Sequence, residues 1–155
     1  MKLSILPLVL MFLAGAAFSL SAQSNETIDL ILSRDVARTG EALYMTLLAT
    51  GLATDAESQE DVYNRIGRDW ARWGLSPRAA NAPILFGEYA FVLMQVFEIP
   101  GGVMYRLMPG PRYAAREIVY QGLASGSQAA DRTISGEEML RILGNVRVWQ
   151  QEQQL

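Results

Sequence analysis

Apolar residues recur at intervals of three and four along most of the chain, and this helical spacing is the feature that most restricts the fold. After Ser58, for example, Val62, Ile66, Trp70 and Trp73 all fall on one face of a helix. No segment sustains the alternation of apolar and polar residues that a half-buried strand requires. We therefore expect an all-α protein.

Glycine, proline and capping residues divide this pattern into separate helices. The sequence predicts helices at residues 25–33, 39–50, 59–73, 84–97, 103–108, 112–124 and 135–149. Ser58 and Ser135 stand where N-caps belong, and Gly51 stands where a C-terminal glycine belongs. The run 84–97 is apolar nearly all round and is too short to span a bilayer, which predicts a central buried helix.

The first 22 residues differ from the rest of the chain. Lys2 precedes an apolar run from Leu3 to Leu13, and small residues follow as far as Ala22. This order is typical of a cleaved secretory signal peptide. An uncleaved membrane anchor is the alternative, which Pro7 inside the run disfavours. We expect residues 23–155 to form one helical domain in the periplasm or outside the cell.

Composition excludes several functional classes. The chain has no Cys and no His, which rules out disulfides, zinc fingers, a catalytic Cys and a Ser-His-Asp triad. Its net charge of -3 argues against a nucleic-acid partner. Glu137 and Glu138 are adjacent and point in different directions, so they cannot flank one scissile bond. We expect no catalytic activity, no metal site and no cofactor.

A Gly-Glu pair begins three of the predicted helices. The pairs are Gly40-Glu41, Gly87-Glu88 and Gly136-Glu137, and the spacings between their glycines are 47 and 49 residues. A period of about 48 residues is typical of helix-loop-helix units that stack on one another. We expect a half-repeat at residues 24–51 followed by repeats at 58–97 and 108–148.

The last of these units resembles the S-layer homology (SLH) domain. The resemblance lies in Pro109-Gly110-Pro111-Arg112-Tyr113-Ala114, in the turn Gly122-Leu123-Ala124-Ser125-Gly126, and in the helix start Ile134-Ser135-Gly136-Glu137-Glu138. It implies a bundle of helical hairpins at the bacterial cell envelope, in a family whose members attach to peptidoglycan-linked polysaccharide. The Arg of the family's TRAE box is absent, and Thr39, Phe86 and Ser135 stand at or next to its place. A scaffold with a changed ligand is therefore an equal alternative.

Two groups of residues are candidates for ligand binding. The carboxylates of Glu41, Glu88 and Glu137 could accept hydrogen bonds from sugar hydroxyls. The alternative is structural, because acids in a first turn complement the helix dipole and Gly permits close packing. Tyr113, Arg116 and Tyr120 lie three and four residues apart and could form an aromatic and guanidinium platform. Ordinary surface packing would give the same pattern.

These features predict a non-catalytic module that binds or scaffolds the cell envelope, with a cell-wall polysaccharide as its expected ligand. The alternative is a protein-interaction subunit of a periplasmic or outer-membrane assembly with no glycan ligand. Exposed apolar surface on Val103 to Met108 would favour that alternative. The oligomeric state stays open, as does whether the N-terminal half-repeat completes the bundle or pairs with another chain.

Overall fold

A computed structural model describes residues 26–72 and 75–155 of the chain. Within these ranges the structure is all-helical, as predicted, and its extended pairing is limited to two isolated bridges, Arg38 with Pro83 and Leu85 with Thr133. The predicted signal peptide, Trp73 and Gly74 lie outside the described residues. The helices are α1 (26–32), α2 (Thr39–Thr50), α3 (Gln59–Arg72), α4 (Phe86–Val96), α5 (Val103–Leu107), α6 (Pro111–Tyr120) and α7 (Gly136–Gln153).

The predicted capping residues are confirmed. Gly51 adopts a left-handed φ of 73° after α2, and its N–H reaches the carbonyls of Leu47 and Leu48. Ser58 accepts the backbone N–H of Asp61 at 3.1 Å before α3. Ser135 accepts the backbone N–H of Glu138 at 3.1 Å before α7. The side chains of these two serines therefore fix where the helices begin.

Three helix boundaries differ from the sequence prediction by two residues or more. Helix α4 begins at Phe86 because Leu85 is extended and bridges to Thr133. Helix α6 ends at Tyr120, before the predicted Ala124, since Gly122 turns the chain with a φ of 75°. Helix α7 continues to Gln153, beyond the expected fraying point at Gln150.

Helix α4 forms the centre of the core, as its apolar sequence predicts. It contacts α2 and α6, and its residues from Phe86 to Met94 are buried. Trp70, on α3, is among the largest fully buried side chains, together with Phe86 and Tyr89. Burying side chains of this size contributes about 2–3 kcal/mol each, so α4 and its neighbours carry much of the stability.

The first turns of α2 and α4 are each hydrogen-bonded to a connector later in the chain, the one before α4 for α2 and the one before α7 for α4. The N–H groups of Thr39 and Gly40 donate to the carbonyls of Ala82 and Ala80 at 2.9 and 2.8 Å. These carbonyls lie just before α4. In the same way Phe86 and Gly87 donate to Arg132 and Ala130 at 2.8 and 2.9 Å, just before α7.

The first turn of α7 and the residue before its N-cap are hydrogen-bonded to the N-terminal segment, which precedes α2. Gly136 donates to the Arg34 carbonyl at 3.0 Å, and Ala37 donates to Ile134 at 2.8 Å. The N-terminal segment thus packs inside the same chain, with Ile31 fully buried. The starts of α2, α4 and α7 are consequently each hydrogen-bonded to a segment distant in sequence.

Candidate functional site

Glu41 and Glu88 each hold a helix start from within. Glu41 accepts the Arg34 Nε at 2.9 Å and the Arg38 backbone N–H at 3.3 Å. Glu88 accepts the Arg78 Nε at 2.8 Å and the Leu85 backbone N–H at 3.3 Å. Both glutamates are buried. Their carboxylates satisfy orphan donors of the first turn and neutralise an arginine, which favours the structural interpretation.

In α7 the same position is occupied by Glu138, one residue beyond the predicted Glu137. Glu138 receives both terminal nitrogens of Arg132, at 3.0 and 2.6 Å. The Arg132 guanidinium also lies 4.0 Å from the centre of the Phe86 ring. Glu137 is exposed and its carboxylate lies 3.4 Å from Arg141. The third Gly-Glu pair is therefore shifted by one residue, because Gly136 is the first helical residue whereas Gly40 and Gly87 are second.

The glycines of the three pairs lie where another segment of the chain approaches closely. A Cβ on Gly40 would lie 3.1 Å from the Ala80 carbonyl oxygen, and one on Gly87 would lie 2.6 Å from the Ala130 Cβ. A Cβ on Gly136 would overlap the carbonyl of Ile31 in α1. Close packing thus accounts for all three glycines.

The structure gives the predicted platform on α6 unequal parts. Tyr120 is 87% exposed and Arg116 is exposed. Tyr113 is half-buried and packs against the core. The residues share α6, but only Arg116 and Tyr120 offer a broad accessible surface to a partner.

Helix α5 and Met108, the residue that follows it, expose four apolar side chains. The exposed fractions are 71% for Val103, 49% for Met104, 71% for Leu107 and 59% for Met108. We call these four residues the α5 patch. Single exposed apolar residues are common, whereas a contiguous group marks an interaction surface.

A cleft of about 380 Å³, which we call the Arg38 cleft, lies between the starts of α2 and α3 and the connector before α4. Arg38 and Asn81 line it, and they also line an adjoining cleft of about 410 Å³. Tyr63 is a further lining residue, and its hydroxyl donates to the Arg78 carbonyl. Sequence reasoning missed Arg38 and Asn81, because only the backbone bonds between α2 and the connector bring them together.

A metal-binding group of acidic side chains and a membrane-spanning helix are both absent from the part of the chain that the structure describes. No group of three or more acidic side chains there is arranged to hold a metal ion. No described helix has the length and apolar character needed to cross a bilayer.

Comparison of the chain with protein-family models, with curated proteins and with solved structures finds no match. The described residues present two candidate binding surfaces, the α5 patch and the Arg38 cleft.

Proposed function

We propose that the protein is a non-catalytic binding module of the cell envelope that docks through the α5 patch. The supporting observation is the exposure of Val103, Met104 and Leu107 on one short helix and of Met108 directly after it. Burial of this area by a partner removes apolar surface from water, at about 25 cal/mol per Å². A protein or a bilayer offers apolar area in return, and a hydrated polysaccharide offers little.

The burial of the glutamates supports the same conclusion. Glu41 and Glu88 were candidates for binding sugar hydroxyls, and both are committed to an arginine and a backbone N–H. Engaging a ligand would require breaking a largely buried ion pair, which costs several kcal/mol. These carboxylates therefore serve the fold in this proposal.

Fractionation of cells that express the full chain tests this function. We expect Leu107→Glu to move the protein from the envelope pellet to the soluble fraction, because the introduced charge opposes apolar docking. Leu52→Glu is the matched control, since Leu52 is 60% exposed in the connector after α2. Equal envelope association of the wild type and both variants would refute docking through the α5 patch.

The Arg38 cleft favours a second candidate function, which is binding of a cell-wall polysaccharide. Its arginine and amide side chains can hydrogen-bond the hydroxyl groups of a neutral polymer, whereas the lining carboxylates of Glu41 and Glu60 disfavour an acidic one. The proposal that residues 58–97 and 108–148 are SLH-like repeats supports the same ligand class. Co-sedimentation with purified sacculi tests it, and Arg38→Gln should lower retention on polymer-bearing sacculi. Arg116→Gln tests the α6 platform in the same assay. If the wild type is not retained on the sacculi, polysaccharide binding is rejected.

A further inference from the structure

Helix α5 turns its apolar side outward and is anchored in that orientation. Val103, Met104 and Leu107 of the α5 patch are exposed on the helix, and Met108 follows it directly as the C-cap. Tyr105 points the other way and is buried, with its ring edge-on to Phe91 at a centroid distance of 6.0 Å. Its hydroxyl accepts the side-chain amide of Gln95 at 2.8 Å. The buried tyrosine keeps the patch facing solvent.

Arginines are concentrated in the stretch of chain that carries this patch. Residues 99–116 contain Arg106, Arg112 and Arg116 and no acidic residue, although the whole chain has a net charge of -3. All three arginines are exposed. The stretch is bounded by two acids, the exposed Glu98 and the half-buried Glu117, whose carboxylate is directed toward Gly102. The local excess of arginine is therefore opposite in sign to the chain as a whole.

From this juxtaposition we propose that the α5 patch inserts into the interface of an anionic lipid membrane, with Arg106, Arg112 and Arg116 contacting the headgroups. The inference rests on the proposed docking function and names its partner. Aliphatic and thioether side chains enter the acyl-chain boundary without needing a complementary pocket. Exposed arginines near them gain from the negative surface potential of anionic lipids. A protein partner would have to supply both an apolar pocket and an acidic rim of matching shape.

Vesicle flotation of the mature protein tests the lipid assignment. The probes are phosphatidylcholine vesicles with and without phosphatidylglycerol, each at low and high salt. We expect binding to the anionic vesicles, weakened by salt because the headgroup contacts are screened. The double variant Val103→Ser/Leu107→Ser should lower the partition coefficient at least about tenfold. The double variant Arg112→Gln/Arg116→Gln should lower it on anionic vesicles and reduce its dependence on salt.

Matched variants on α7 separate this surface from general effects. Val148 is 56% exposed and Arg147 is exposed, and Val148→Ser and Arg147→Gln should keep the partition coefficient of the wild type. Because the chain has no cysteine, Met104→Cys provides a single site for an environment-sensitive dye. Its emission should shift to the blue on anionic vesicles, whereas a dye on Val148→Cys should not shift.

The two proposals fail in different ways. If the wild type does not bind anionic vesicles but Leu107→Glu still releases it from the cell envelope, the lipid assignment is overturned and a protein partner takes its place. If vesicle binding survives the α5 and α6 substitutions, or is lost equally in the α7 controls, the assignment is likewise overturned. If Leu107→Glu has no effect in cells either, docking through α5 is rejected as well.

Discussion

The carboxylate of Glu88 receives the Arg78 guanidinium and the Leu85 N–H, so a single side chain joins a connector to the first turn of α4. Glu88→Gln keeps the size of the side chain but removes its charge and turns one acceptor into a donor facing Arg78. We expect a loss of about 1–3 kcal/mol in the free energy of unfolding. Chemical denaturation monitored by circular dichroism measures it.

Glu137→Gln is the control for this change. Glu137 is exposed and contacts only Arg141 among the ion pairs of the described residues, and such surface pairs contribute about 0–1 kcal/mol. The control should therefore unfold within about 0.5 kcal/mol of the wild type. Equal losses in both variants would show that burial of Glu88 does not matter.

Buried tyrosines make stability sensitive to alkaline pH. Burial raises the pKa of Tyr89 above its usual value of about 10, and burial also raises the pKa of Tyr105. A tyrosine with a raised folded-state pKa contributes its full stability below the unfolded pKa, and that contribution is lost as pH rises above it. We expect constant stability between about pH 7 and 9 and a decline above about pH 10.

Tyr89→Phe tests the source of that decline. The variant cannot ionise at this position, so its stability should fall less steeply above about pH 10. At neutral pH it should be about 1 kcal/mol less stable, because the Tyr89 hydroxyl donates to the Met139 carbonyl at 3.2 Å. Denaturation series across pH, paired with the absorbance of tyrosinate, measure both effects. Parallel profiles for the two proteins would assign the decline to other groups.

At the scale of the element, the start of α7 shows why a glycine is needed where the helix packs against the end of α1. Gly136→Ala raises helix propensity, yet its Cβ would overlap the Ile31 carbonyl. We expect a net loss of about 1–3 kcal/mol from the displaced backbone. Thermal unfolding of the variant measures it.

Gly144→Ala in the same helix is expected to raise the free energy of unfolding, whereas Gly136→Ala lowers it. A Cβ at Gly144 would meet no atom within 4 Å, so the variant should gain up to about 1 kcal/mol from propensity alone. If Gly136→Ala were also stabilising, close packing at the start of α7 would be disproved.

Elements were predictable where local chemistry decides them. The cap at Ser58, the left-handed Gly51 and the apolar run of α4 are all local signals, and the structure follows them. The start of α4 was not predictable, because Leu85 is kept extended by a bridge to Thr133 about fifty residues away. The arginine partners of Glu41 and Glu88 were missed for a related reason, since their spacing varies from seven to ten residues.

The exposed surfaces divide in the same way. The α5 patch follows from a short apolar segment between two Pro-Gly turns, which the sequence displays directly. The cleft at Arg38 and Asn81 depends on backbone bonds between α2 and residues 80–82. Sites formed by long-range pairing leave no periodic signal in one sequence.

At the scale of the whole molecule, the starts of α2, α4 and α7 form a closed cycle of contacts. The start of α2 binds the segment before α4, the start of α4 binds the segment before α7, and the start of α7 binds the N-terminal segment before α2. Residues 31–37 supply the fully buried Ile31, the Arg34 that pairs with Glu41, and the backbone bonds to Gly136 and Ile134. Removing them exposes apolar surface, leaves Glu41 without its arginine, and frees the start of α7 from its backbone bonds.

A chain shortened to begin at Arg38 should therefore lose about 5 kcal/mol or more, which equals the whole stability of a marginally stable domain. We expect no cooperative thermal transition by circular dichroism. Removal of residues 151–155 is the matched truncation, because these residues are exposed at the end of α7, and it should leave the transition almost unchanged. Sedimentation of residues 23–155, with the N-terminal segment kept, measures the oligomeric state, and its thermal melt is compared with that of the shortened chain. If the N-terminal segment serves its own chain, that protein folds cooperatively as a monomer, whereas a shortened chain that still melts cooperatively would show that the cycle does not support the fold.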